Sequence, residues 1–163
     1  QGTQGWFDLK IGKPSASNFD KIITPSGGPS KQQEKYMYQL AGEIITQKKE
    51  ETYKSHAMEE GNIKEAEARA LYEMLYDVDV LQTGVCYKDD EKAFLCSPDG
   101  LVEVEGMLEI KCPLIHTHVG YLLKDELPRE YFCQVQGQMY VTDRKWCDFM
   151  SYYPAMPPLI IRV

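Results

Sequence analysis

Three side chains, spaced as acid, acid and amine, could hold a phosphodiester for hydrolysis. Asp99 lies in the turn Ser97-Pro98-Asp99-Gly100, and Glu109 and Lys111 follow in Leu108-Glu109-Ile110-Lys111. An acid at a turn, then acid-x-lysine inside an apolar strand, is a minimal set for binding a divalent cation and a water poised for attack. The second segment alternates strictly. Leu108 and Ile110 point to one face of a strand, and Glu109 and Lys111 point to the other. Opposite charges on a half-buried strand are costly without partners. A metal and a held water would supply those partners.

The elements that must position this set are legible nearby. Pro98 presets the turn angle and Gly100 tolerates positive φ. A strand over Leu101–Val104, a hairpin turn at Glu105-Gly106 and a return strand over Met107–Cys112 follow. Antiparallel pairing then brings the start of the first strand alongside Lys111. The turn type decides the register, so the spacing of the two carboxylates stays open.

Elsewhere, Ser15 and Ser17 begin a short helix that ends near Ile23, before the breaker cluster Thr24-Pro25-Ser26-Gly27-Gly28-Pro29. Ser30-x-x-Gln33 reads as a capping box, opening a helix whose apolar stripe is Met37, Leu40, Ala41, Ile44 and Ile45. Lys48–Lys54 is a solvated connection. A third helix runs over Ser55–Tyr76, with Ala68, Leu71 and Leu75 as core candidates. Strands are expected over Val80–Tyr87, Ala93–Cys96, Lys145–Tyr153 and Leu159–Val163, and helices over His116–Lys124 and Arg129–Thr142. This order predicts an α/β or α+β layered fold.

Length and composition narrow the classes. The 163 residues read as one domain with a self-sufficient core. No apolar run approaches the ~20 residues of a membrane-spanning helix. The opening Gln1-Gly2-Thr3-Gln4 has neither an initiator methionine nor a basic-then-apolar leader, and reads as a trimmed or internal start. Five scattered cysteines without a C-x-x-C pair indicate free thiols in a reducing compartment, most of them small core residues. A net charge of −7 weighs against generic nucleic-acid binding, though a metal neutralises clustered acids and DNA needs only a local basic stripe. His116 and His118, two apart, lack partners at zinc-ligand spacing and read as surface or loop residues. No Gly-rich phosphate loop is present, so no nucleotide cofactor is implied.

The string Ser97-Pro98-Asp99-Gly100…Leu108-Glu109-Ile110-Lys111-Cys112-Pro113 resembles the YqaJ-type viral recombinase family, that of phage lambda exonuclease, within the PD-(D/E)xK nuclease superfamily. Three further blocks follow the family's order. Trp6…Lys10-Ile11-Gly12…Ser15-Ala16-Ser17 is similar to the opening motif, with Lys10 where arginine is usual. Gly61…Glu65 resembles the G-x-x-x-E helix. By flanks, Gln134 in Tyr131-Phe132-Cys133-Gln134 matches the late functional glutamine, with Gln136 a rival.

The resemblance implies a restriction-endonuclease-like core, a central mixed sheet flanked by helices; where the family commonly continues into a C-terminal helix, this sequence closes at Val163. It implies catalysis by Glu65, Asp99, Glu109 and Lys111, with Mg²⁺ (Mn²⁺ able to substitute) held by Asp99, Glu109, the Ile110 carbonyl and, at the edge, Glu65. Lys111 would position or activate the attacking water. Lys10, Ser17, Ser97, Tyr131 and Gln134 would hold the DNA end and its 5′-phosphate. Ser17 also reads as a plain helix N-cap, and Glu65 as one half of a solvated Glu65–Arg69 pair. The implied activity is a 5′-to-3′ exonuclease on linear double-stranded DNA. It would leave 3′ overhangs for a single-strand annealing protein. A homo-oligomeric ring, commonly a trimer, and a phage- or prophage-encoded origin in the bacterial cytoplasm are implied too. The alternatives are a structure-specific or repair endonuclease on the same core, and a noncatalytic DNA-end-binding module.

Overall fold

The computed structural model describes residues 2–49 and 56–163, with side chains from Ile63 onward in the second stretch. The expected connection over Lys48–Lys54 therefore lies partly outside the described residues, as do the side chains of Glu59 and Glu60. The helices are α1 (Gln4–Asp8), a 3-10 helix (Ala16–Lys21), α2 (Gln33–Thr46), α3 (His56–Tyr76), α4 (Ile115–Lys124) and α5 (Arg129–Thr142). The strands are β1 (Val80–Leu81), β2 (Cys86–Tyr87), β3 (Leu95–Cys96), β4 (Gly100–Val102), β5 (Gly106–Lys111), β6 (Trp146–Ser151) and β7 (Leu159–Arg162). They divide between two compact units. The first is Gln1–Thr52, Thr83–Ser97 and Arg129–Asp143, and the second is Tyr53–Gln82, Pro98–Pro128 and Arg144–Val163.

The second unit carries a five-stranded sheet of order β1-β4-β5-β6-β7. All its pairs are antiparallel except β5–β6, which is parallel, so the sheet is mixed as the resemblance implies. Leu108 and Ile110 bury one face of β5 against Ala68 and Tyr72 of α3, with Val80, Val102 and Met150. Leu75, expected in that core, is instead exposed, because Ala68 and Tyr72 supply the helix's contact. The other face of β5, carrying Met107 and Glu109, is also buried.

The β4–β5 hairpin differs from expectation in a way that matters. Val102 pairs with Gly106, so the loop is the three residues 103–105, with Glu103 at φ 48, and not a two-residue Glu105-Gly106 turn. Gly106 starts β5 and is glycine for another reason: a Cβ there would lie 2.0 Å from the Trp146 ring. Arg144 locks the loop, its Nη1 donating to the carbonyls of Val102, Glu103 and Gly106 at 3.3, 3.1 and 2.6 Å.

The single strand expected over Val80–Tyr87 is two short strands. β1 joins the main sheet, and β2 pairs with β3 in the first unit. That unit buries Ala16, Cys96 and Val141 with Phe19, Cys86 and Phe94. Gly137 of α5 lets the helix seat on Phe19, whose ring would lie 2.4 Å from an added Cβ. The Ser30 capping box does not form: α2 starts at Gln33, and Gln33 Nε2 donates to the Ile22 carbonyl. The apolar stripe of α2 is turned out, with Ile45 82% exposed and Met37 and Ile44 more than half exposed. The helix is anchored instead by polar contacts. Glu43 accepts from Gly12 N at 3.0 Å, and Tyr36 OH accepts from Ser15 N at 3.4 Å.

Gly106→Ala tests the Trp146 contact. It should destabilise the chain by about 1–3 kcal/mol through overpacking, read as a fall in thermal midpoint. Unchanged melting would show that the indole can move aside freely.

Candidate functional site

Asp99 precedes β4, and its position follows from the hairpin. Gly100 pairs with Leu108, so extending the register by one residue sets Asp99 across from Glu109. The three-residue loop creates this alignment; a two-residue turn would have shifted it. Asp99 Oδ2 accepts from the Ile110 N–H at 2.7 Å, which fixes the carboxylate against β5. Glu109, buried to 1% exposure, pairs through Oε1 with Lys111 Nζ at 2.5 Å. Lys111 is itself only partly covered.

Burial holds the Asp99 carboxyl well above the usual carboxylate range. The charge of Glu109 adds to this, and Glu65 contributes a smaller push in the same direction, while Lys111 and the Ile110 N–H work against it. The neighbouring Cys112 thiol senses the same field. Burial first, then Glu65 and Asp99, push it up to about 11. Glu65 Oε1 itself accepts from Arg69 Nη2 at 2.6 Å. Among the described residues, no group of three His, Cys, Asp or Glu side chains stands ready-made for a metal. What the structure does bring together is Asp99 and Glu109 across one hairpin, with the charge of Glu65 bearing on Asp99. This donor set is all oxygen and its crowded acids favour an added cation, so it fits a hard divalent ion such as Mg²⁺.

The remaining candidates lie in the first unit. Lys10 is buried, with its ammonium 3.4 Å from the centroid of the Trp6 ring. Trp6 Nε1 donates to Ser97 Oγ at 3.2 Å, so Lys10, Trp6 and Ser97 form one group. Ser15 and Ser17 share a hydroxyl hydrogen bond of 3.1 Å, and Ser15 bridges Leu95, two residues before Ser97. Ser17 is not the N-cap of its 3-10 helix; that position is Ser15. Tyr131 and Gln134 sit in the first turns of α5, half-buried, whereas the rival Gln136 is exposed.

Two buried polar residues escaped the sequence reading. His118 is fully buried in α4, bonded to Ser151 Oγ at 2.8 Å and the Pro157 carbonyl at 3.1 Å, and is neither surface nor loop. Asp148 of β6 receives Tyr72 OH at 2.7 Å and the Arg162 fork at 2.8 Å to each oxygen, while that guanidinium stacks on Trp146. An acid in the middle of Trp-Cys-Asp-Phe-Met-Ser was the available signal. All five cysteines are free thiols, with Cys96, Cys133 and Cys147 buried.

Asp99 keeps its proton to higher pH in the folded chain than in the unfolded one, so the folded state binds more protons. Stability therefore falls as pH rises above 3.8, its ordinary value. Without metal, Asp99→Asn should melt several degrees above wild type at pH 8 (~2–4 °C per kcal/mol relieved) and level with it at pH 4. Added Mg²⁺ should close the gap. Equal melting at pH 8 would show that the buried acid is not under strain.

Residues 5–145 match the model of the YqaJ-like viral recombinase domain. The alkaline exonuclease LHK-Exo of Laribacter hongkongensis superposes with a TM-score of 0.87 and 32% identity, over 99% of this chain and 81% of that one. The same enzyme in complex with dAMP gives 0.86, again at 32% identity, over 99% and 82%. A phage-related exonuclease from Haemophilus somnus 129PT shares the fold, with a TM-score of 0.63 at 18% identity, over 86% of this chain and 68% of that one. An uncharacterized protein of Acanthamoeba polyphaga mimivirus, R354, is 33% identical over 104 residues, 56% of this chain. The chain spans only 19% of that relative's length. This chain is thus a homologue of exonucleases, and among its described residues no helix is long and apolar enough to cross a membrane.

Proposed function

The chain belongs to the YqaJ-like viral recombinase family, and from that premise we propose that it is a Mg²⁺-dependent exonuclease on linear double-stranded DNA. It degrades one strand from the 5′ end and leaves a 3′ overhang for a single-strand annealing partner. The observation that carries this reading is the hairpin that sets Asp99 across from Glu109 and pairs Glu109 with Lys111. The dAMP complex of the homologue supports it, because a deoxynucleoside monophosphate is what such cleavage releases.

Asp99, Glu109 and the Ile110 carbonyl would hold the ion, with Glu65 at the edge. Mg²⁺, or Mn²⁺ in its place, supplies Lewis-acid stabilisation of charge on the phosphate and acidifies bound water. The chain's own residues do the rest. The Ile110 N–H keeps the Asp99 carboxylate turned toward β5. Lys111, anchored on Glu109 yet partly open to solvent, holds the attacking water and offsets negative charge as the phosphorus–oxygen bond to the 3′ side breaks. Lys10, Ser17, Ser97, Tyr131 and Gln134 receive the 5′-phosphate. Lys10 meets it as a point charge, not a bidentate fork, so its placement on Trp6 stands in for the fixed geometry arginine would bring. A homo-oligomeric ring, commonly a trimer in the family, and a phage-encoded role in the bacterial cytoplasm complete the proposal.

The test incubates linear duplex, with or without 5′-phosphate, and a closed circle, with and without Mg²⁺. Metal-dependent loss of the linear DNA alone is expected, faster with 5′-phosphate, and slowed about 10²–10⁴-fold by Lys111→Ala. Lys10→Ala should erase the preference for 5′-phosphate while leaving metal dependence intact. Cutting of the circle would make the chain an endonuclease. DNA bound but never cut would reduce it to an end-binding module.

A further inference from the structure

Arg69 stands one turn beyond Glu65 on α3, and its surroundings are not those of a surface ion pair. Its Nη2 donates to Glu65 Oε1 at 2.6 Å, yet the Arg69 side chain is only 12% exposed, against 33% for Glu65. Exposed i,i+4 pairs hold neither partner in one place. Here the guanidinium is braced from a second side. With the Gln82 amide turned so that its oxygen faces Arg69, that oxygen accepts from Nη1 at 2.5 Å and from Nη2 at 3.1 Å. The remaining donor, Nε, is buried and has no hydrogen-bond partner among the described residues. A buried N–H left unmade is costly. Arg69 thus gives up one donor to keep its fork on Glu65 and Gln82.

Glu65 is the α3 carboxylate whose charge bears on both Asp99 and Cys112. A half-exposed glutamate samples several rotamers unless something fixes it. We propose that Arg69 is a positioning residue, which holds the Glu65 carboxylate toward the Asp99–Glu109 pair and so sets the affinity for a divalent cation. This rests on the metal-dependent reading above and adds a residue to it.

Charge and position pull in opposite directions. Deleting a nearby positive charge would by itself tighten cation binding, whereas releasing Glu65 would weaken it. Arg69→Lys separates the two, because lysine keeps the charge but cannot bond Glu65 and Gln82 in the same planar fork. Mn²⁺ is titrated calorimetrically into the full chain as wild type, Arg69→Lys, Glu65→Gln and the double variant, with thermal unfolding of each alongside. Arg69→Lys should weaken Mn²⁺ binding about tenfold. The double variant should bind no more weakly than Glu65→Gln alone. Unmoved affinity in Arg69→Lys, or an equal loss in both backgrounds, would overturn the positioning role. Should Arg69→Lys not fold, Gln82→Ala removes the brace alone and carries the same cycle with the same expected loss. A wild-type chain that takes up no Mn²⁺ overturns the metal reading and this inference with it. Normal wild-type binding beside an inert variant overturns this inference only.

Discussion

Strand β5 has to bury a charge on a face that the rest of the sheet treats as apolar. Glu109 lies between Met107 and Lys111 on that face, and its parallel neighbour on β6 is Phe149, itself fully buried. Such a residue is tolerable only where its partners cannot drift. Backbone pairing provides this on both sides, with β4 antiparallel and β6 parallel. Arg144 adds a third restraint by tying down the loop between β4 and β5. The geometry of the candidate site is therefore a property of the sheet, and Asp99 is aligned before any side-chain contact contributes.

Two buried acids in this sheet show how differently such a charge can be treated. Asp148 meets three donors, from Tyr72 and both nitrogens of the Arg162 fork. Tyr72's own burial, and then that hydrogen bond, push its hydroxyl pKa up, so it stays a donor to the acid. Asp148 ties α3 to β6 and the edge strand β7. Asp99 meets one backbone N–H and the field of two further acids, and only that N–H and the charge of Lys111 relieve it. A satisfied buried acid reads as architecture. One crowded by its own kind reads as a place made for a cation.

The chemistry-bearing strand was legible because period-2 alternation is a local property of Leu108–Lys111. The alignment of Asp99 was not, because it turned on the loop. Glu103 takes a left-handed conformation that a glycine at 106 had suggested for a different position, and Gly106 answers to Trp146, forty residues away. The stripe on α2 shows the same limit. Its helical spacing was real, but which face is covered was decided by Glu43 and Tyr36, polar residues that reach the 12–15 segment. His118 and Asp148 were missed for a related reason. Their partners, Ser151 and Pro157 for one and Tyr72 and Arg162 for the other, come from distant parts of the chain.

The negative total charge, which weighed against nucleic acid in the sequence, is unevenly placed. The stretches of the second unit hold fourteen acidic residues against eight basic ones, and those of the first hold eleven against ten. In the first unit, lysines are laid over aromatic rings: Lys10 on Trp6, Lys13 and Lys92 on Tyr87, Lys88 on Tyr140. Solvated charges a Debye length apart, roughly 8–10 Å at physiological salt, barely feel one another. Most of the fourteen acids therefore have little influence on a phosphate held near Lys111. The charges that do are the few inside the fold, Asp99 and Glu109 above all, where water screens them least and a single divalent ion would neutralise the pair. A net charge summed over the chain averages those residues away, which is why an acidic composition does not weigh against the proposed nuclease site.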